Sequence, residues 1–372
     1  MTDDSKVKAE LKTESKAELL VGTEKGLFTL RREHGDRWNV DGPHISGYSI
    51  NHIHRSLTSA DVAYATANHP VWGSHISASE DDGRSWSPLP SVPHHPAGRY
   101  PDSINAIWYI TESPDDGALH VGIDPAGMFT SVDNGTSWQD VTGLNEHPTR
   151  GTWEPSRGIF AVHSIQIDPS DANRVHVAIS AGGAYRSVDG GASWIPSNQG
   201  VRAANLPDPA PAVGHNVHRL VMHPKLPTRL YRQCYTGTYR SDDAGASWQD
   251  ISEGLPSDFG YAIAIHPADP DVVFQIPMLG AHLRVPVDGR LRVWRSRDAG
   301  TSWQAQGAGL PDNAWVAVLR EAMTTVGVAG VDACSVYFGT TGGHLFESVD
   351  DGDSWRVIAD FLPRILSVCA VR

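Results

Sequence analysis

Apolar and polar residues alternate along most of this chain in short runs, and turn-forming residues separate the runs. VHVAISAGGAYRS (175–187) and LYRQCYTGTYRS (230–241) each read as a strand, a small-residue turn and a second strand. HSIQIDPSD (163–171), HRLVMHPKL (218–226) and YAIAIHPAD (261–269) are alternating runs that end in Asp-Pro or His-Pro. Gly-Leu-Pro turns such as GLPSD (254–258) and GLPDN (309–313) follow at intervals. A period of two bounded by Gly, Pro, Asn and Asp is the signature of half-buried strands in an all-β protein.

The strands are organised by a repeat. The pattern S-x-D-x-G-x-x-W occurs at 79–86, 131–138, 187–194, 241–248, 296–303 and 348–355, with starts 52, 56, 54, 55 and 52 residues apart. A degenerate copy, RREHGDRW (31–38), keeps Gly35 and Trp38, so the count is seven. Four strands per unit of this length is the scale of a propeller blade. The first unit begins at LLVGTEKGLFTL (19–30) without an inner strand, and the chain ends on an unpartnered one, RILSVCAVR (364–372). The spacing therefore predicts a seven-bladed β-propeller over 19–372, closed by the C-terminal strand completing the first blade. Residues 1–18 are expected to be a disordered polar tail.

Composition trims the possibilities. Among 372 residues there are 36 Gly, 25 Pro and 12 Trp, and seven of the tryptophans belong to the repeated box. A net charge of −13 argues against a nucleic-acid partner. No apolar run has the length of a membrane span. The N-terminus lacks an apolar secretory core, and Cys234, Cys334 and Cys369 form neither a disulfide framework nor a CxxC pair, so a cytoplasmic location is expected.

The box resembles the Asp-box, or bacterial neuraminidase (BNR), repeat of sialidases and related propellers. The resemblance covers nearly the whole chain and implies the propeller fold, with the boxes on outer hairpins away from the active face. The overall pattern is similar to cytoplasmic BNR-repeat proteins labelled glycosyl hydrolase-like or exo-α-sialidase-like. True sialidases carry an early Arg-Ile-Pro motif and an arginine triad; no Arg-Ile-Pro occurs here.

Candidate chemistry comes from residues that break the repeat. Long loops at 87–105, 142–162 and 195–217 lead into inner strands and are expected to wall a cleft on one rim. Aligning the inner strands on their Asp/His-Pro ends gives a channel-facing ring of His52, Trp108, His163, His218, Tyr261 and Trp315. These six are expected to contact a small-molecule ligand, with Arg150 in the second loop as a further binding residue. His52, His163 and His218 also have the chemistry to hold a divalent metal. For acid/base work the candidates are Glu146, Glu154 and Asp124, with Glu24 a further rim carboxylate. Glu321 is expected at the opposite end of its strand, and the 277–292 segment reads as an insertion of undecided role. The function expected first is a glycoside-hydrolase-like enzyme acting on a small glycoside, or a related small molecule, in the axial pocket. The alternatives are a metal-dependent lyase, hydrolase or oxygenase, and a non-catalytic ligand- or partner-binding scaffold.

Overall fold

In most units the second strand is buried almost without a break, as in Leu19–Thr23 and Cys334–Gly339. A strand that is apolar on both faces needs a neighbouring sheet on each side. The computed structural model, which describes residues 19–32, 37–98, 104–155, 159–203, 206–280, 282–327 and 332–371, meets that need with a ring. Seven four-stranded antiparallel sheets stand around an axis as the blades of a propeller. The tail expected at 1–18 and the turn of the degenerate box at 33–36 lie outside the described residues. Among the described residues no helix is long and apolar enough to cross a membrane.

The inner strands, from blade 1 to blade 7, are Ile365–Ala370, Ser49–Arg55, Ala106–Glu112, Val162–Asp168, Val217–His223, Gly260–Ile265 and Met323–Gly327. Outer strands such as Ser87–Pro88 and Gln249–Asp250 are two residues long and exposed, so those blades present only a short open edge, whereas blade 1 ends on the seven-residue strand Trp38–His44. The core is a series of blade-to-blade interfaces. One cluster joins Leu20 and Leu27 of blade 1 to Ile53 and Ala65 of blade 2, and another joins Phe129 of blade 3 to Ile76 of blade 2. Near the axis the sheets converge so closely that a Cβ on Gly122 would overlap the Val162 carbonyl of the next blade.

The box is a hairpin lock. In blade 5, Ser241 Oγ donates to Asp243 Oδ1 and accepts from the Gly245 amide, both at 2.8 Å. Asp243 in turn accepts the Ser247 amide at 2.9 Å and its hydroxyl at 2.6 Å. The turn takes two successive left-handed residues, Ala244 (φ 52°) and Gly245 (φ 73°), and glycine adopts the second without a Cβ penalty. Trp248 Nε1 then donates to the Ser197 carbonyl of blade 4 at 2.9 Å, and Trp303 Nε1 to Ile251 of blade 5 at 2.8 Å. These two tryptophans tie their hairpins to the preceding blade, whereas Trp86, Trp194 and Trp355 donate to the glycine carbonyl of their own box.

Closure is as the repeat predicts. Ile365–Ala370 pairs with Leu19–Thr23, from Leu19 opposite Ala370 to Thr23 opposite Ile365. Ser367 Oγ donates to the Ile50 carbonyl of blade 2 at 2.9 Å. On the other flank, buried Glu347 of blade 7 pairs with Arg32 of blade 1 at 2.5 Å.

Two outcomes follow for stability. Removing residues 364–372 exposes the Leu19–Thr23 edge, and the shortened chain is expected to lose the cooperative thermal transition by circular dichroism; an unchanged melt would refute closure by this strand. Hydrogen bonds from Ser137 hold the Asp133 carboxyl down to about 2, and those from Ser193 do the same for Asp189. A depressed folded-state pKa stabilises the protein above the ordinary carboxylate range, and the gain is lost as pH falls toward about 2. An Asp133→Asn/Asp189→Asn double variant should therefore be less stable at neutral pH and show a shallower acid-unfolding profile.

Candidate functional site

The inner strands share one irregularity that creates the site. Each of the five from blade 2 to blade 6 carries a β-bulge near its start, between Ile50 and Ile53, Ile107 and Tyr109, Val162 and Ser164, Val217 and Arg219, and Gly260 and Ile263. A bulge adds one residue and re-aims its side chain. An axial cavity of about 680 Å³ opens there, and Asn51, Trp108, His163, His218 and Tyr261 line it. Each of these precedes a buried apolar partner by two positions: Ile53, Ile110, Ile165, Leu220 and Ile263.

Two members of the expected ring move. His52 sits one residue past the lining position, stacked on Tyr109 at 3.8 Å, with its Nδ1 accepting the Ile110 amide at 3.4 Å. Trp315 is 64% exposed on the rim, its Nε1 bonded to Asn313 at 2.7 Å, because the inner strand of blade 7 starts only at Met323. Counting back two residues from Met323 gives Glu321, which lines the cavity, contrary to its expected place at the far end of its strand. The register needed to see this is the pairing of Met323 with Phe338, which no Asp/His-Pro sequence marks in this blade.

The floor of the cavity is a charged layer. Arg219 Nη2 meets Glu321 Oε2 at 3.2 Å, and His52 Nε2 lies 3.7 Å from the same oxygen. Arg219 Nη1 also donates to the Arg320 and Met323 carbonyls at 2.6 and 2.8 Å, which fixes the chain on both sides of Glu321. Burial raises the Glu321 carboxyl above its usual range, against the opposing pull of Arg219 and Arg320, and Oε1 has no hydrogen-bond partner. Beyond the floor a second depression of about 430 Å³, lined by Tyr109, Gln166 and Arg219, opens on the other side.

The walls are aromatic and basic. Arg320 lies 5.7 Å from the Trp108 ring and 5.1 Å from Tyr261, and Arg284 stands 5.6 Å from the same tyrosine. Arg284 is supplied by the 277–292 insertion, whose place in the fold is thereby settled: it reaches the mouth of the cavity. At the mouth Glu24 and Arg364 pair at 3.3 Å. His218 Nδ1 donates to the Gly260 carbonyl at 2.6 Å, which leaves Nε2 as the acceptor of a neutral ring. Desolvation lowers its pKa to about 3, and burial holds His163 well below the ordinary range too.

The three histidines do not form a metal centre. Their ligand nitrogens do not gather within 4.8 Å, whereas those of His266, Cys334 and Asp351 do. That second group is a structural one: His266 Nδ1 accepts the Ala268 and Asp269 amides, so the proton sits on Nε2, facing Asp351 at 3.6 Å. Its tautomer is wrong for a metal ligand, and His223 caps the equivalent turn of blade 5 in the same way.

The loop carrying Glu146 and Glu154 lies mostly outside the axial cavity, which only Asn105 and Ile159 of the long loops line among the described residues. In that loop a short helix Thr142–Asn145 docks Asn145 on blade 3, with Oδ1 accepting the Met128 amide at 2.8 Å. Trp153 is held by the Tyr185 hydroxyl at 2.7 Å. Glu146, Arg150 and Trp153 consequently line a shallow pocket with Phe160, while Glu154 lines another with Leu206 and Val213. Glu146 and Glu154 therefore do not flank a common cleft, and neither they nor Arg150 reach the axial cavity. Asp124 is buried between two loops, where it accepts Asn105 Nδ2 at 3.0 Å and the Phe160 amide at 3.2 Å. Its pKa is raised by burial, and it positions Asn105 on the cavity wall.

No protein-family profile matches the chain. An oligoxyloglucan-reducing end-specific xyloglucanase of Emericella nidulans is 24% identical over 301 residues, covering 71% of this chain and 34% of that protein. The chain thus spans about a third of that relative's length. A GH74 enzyme of Niastella koreensis superposes with a TM-score of 0.63 at 16% identity, over 92% of this chain and 54% of the other. YCF48, solved bound to D1 peptide, gives 0.54 at 12% identity, over 93% and 85%. At these identities the solved structures establish the seven-bladed, all-β propeller fold.

Neutral cavity histidines are directly measurable. Imidazole nitrogen shifts of His163 and His218 should be those of neutral rings at about pH 5, where an ordinary histidine is mostly protonated. Protonated shifts there would contradict the buried geometry.

Proposed function

We propose that this chain is a glycoside-hydrolase-like enzyme that takes a small glycoside into the axial cavity. One observation carries the reading: Glu321 stands in an aromatic-walled cavity with its carboxyl raised by burial and Oε1 unpartnered. A carboxyl that burial makes a weaker acid than usual is suited to protonating a departing glycosidic oxygen. Trp108 and Tyr261 offer ring faces against which a sugar can stack. Glu24 provides a second carboxylate on the same cavity, paired with Arg364 and open to the mouth. The xyloglucanase relative supports the class of reaction, while the cavity's size supports a small substrate. The sialidase-like reading has less support, since the sequence carries no Arg-Ile-Pro motif.

A panel of aryl glycosides and xyloglucan oligosaccharides tests it. Glu321→Gln is expected to lower kcat by about 100-fold or more, the usual contribution of a general acid. Glu146→Gln and Glu154→Gln should leave the rate unchanged. Full activity in Glu321→Gln, or a wild-type protein that cleaves no glycoside, would overturn the proposal.

A further inference from the structure

Among the described residues the Arg320 guanidinium makes no ion pair, the neighbouring Glu321 carboxylate being engaged by Arg219. Its carbonyl is taken by Arg219, and Glu321, next in the chain, gives its carboxylate to Arg219 and faces His52. The Arg320 guanidinium lies between the rings of Trp108 and Tyr261, its Nε is buried without a hydrogen-bond partner, and it makes no side-chain hydrogen bond among the described residues. Ring faces attract a cation but cannot accept the five in-plane N–H donors of a guanidinium. Arg284 adds a second positive charge beside Tyr261, and Glu24 at the mouth is paired with Arg364. In a chain of net charge −13, the cavity wall carries three arginines against two glutamates. His163 adds a buried Nε2 with no partner.

A guanidinium held against ring faces without hydrogen-bond acceptors leaves its donors unused, and an oxyanion supplied by a ligand forms charge-assisted hydrogen bonds to them. We infer that the ligand of the axial cavity carries an oxyanion, a carboxylate or a phosphate, seated on Arg320 between Trp108 and Tyr261. The inference rests on the reading of this cavity as the substrate site and narrows it to acidic rather than neutral sugars. Trp108 and Tyr261 then serve two ends, stacking the sugar and orienting the guanidinium that holds its charge.

Calorimetric titration of the full chain with glucuronate, glucose and inorganic phosphate provides the test. Glucuronate should bind about 10-fold or more tightly than glucose, the increment of charge-assisted hydrogen bonds. Arg320→Met should abolish that preference, and Arg320→Lys, which keeps charge but not the fork, should retain part of it. Competition by phosphate assigns the site to oxyanions generally, and its absence assigns it to carboxylates. Ligand-free Arg320→Met should melt at the wild-type temperature or above, because the substitution breaks no hydrogen bond or ion pair of the side chain among the described residues. A lowered melting temperature would make Arg320 a packing residue and overturn the inference, as would equal binding of the two sugars, no binding of either, or an intact preference in Arg320→Met. Cleavage of a neutral glycoside through Glu321 with no preference for glucuronate would sink the inference and leave the hydrolase reading standing. Glucuronate held by Arg320 with no glycoside cleaved would do the reverse.

Discussion

A four-stranded sheet that is apolar on both faces must be covered on both, and a row of such sheets ends in two bare faces unless it closes. Pairing of Ile365–Ala370 with Leu19–Thr23 meets that constraint here, and everything else in the molecule depends on it. Because the ring closes, every blade has two neighbours and every inter-blade cluster is complete. Because seven sheets converge on one axis, the inner strands cannot pack against each other at their near ends. The space left over is the cavity.

The inner-strand bulges convert that space into a chemical site. Regular alternation would send successive side chains to the two faces of the blade, into its interfaces with neighbours. One added residue per strand aims Trp108, His163 and His218 at the axis. Most of the side chains that meet at the axis stand on inner strands or on chain pinned by Arg219. Burial there lowers the pKa of His163 and His218 and raises that of Glu321.

Much of this was legible from residues alone, and the failures are instructive. The box spacing identifies seven blades because Ser, Asp, Gly and Trp interact within one hairpin, so local sequence carries the signal. Trp108, His163, His218 and Tyr261 were found because an Asp-Pro or His-Pro turn marks the end of each of their strands or a usable equivalent. Blades 2 and 7 lack that marker. Sequence alignment of the inner strands therefore puts His52 where its neighbour Asn51 belongs and Trp315 where Glu321 belongs, which the pairing of Met323 with Phe338 places on the cavity. Glu146 and Glu154 were read from loop length and composition. Neither property says whether a loop bends inward over the axis or, as Asn145 and Trp153 make it do, outward across a blade junction.

By itself, then, the sequence determined the architecture: the number of blades, their order, the hairpin locks and the strand that shuts the ring. These rest on periodicity and on contacts between residues close in the chain. Only the tertiary structure decided which side chains meet at the axis. Glu321, Arg219, Arg320, Tyr261 and Trp108 come from four different blades. Their association depends on strand register and bulge position, and a shift of one residue sends a side chain to another face. The placing of Arg320 against two rings, with no side-chain hydrogen bond among the described residues, belongs to that same level, because it is a property of the assembled cavity and of no segment within it.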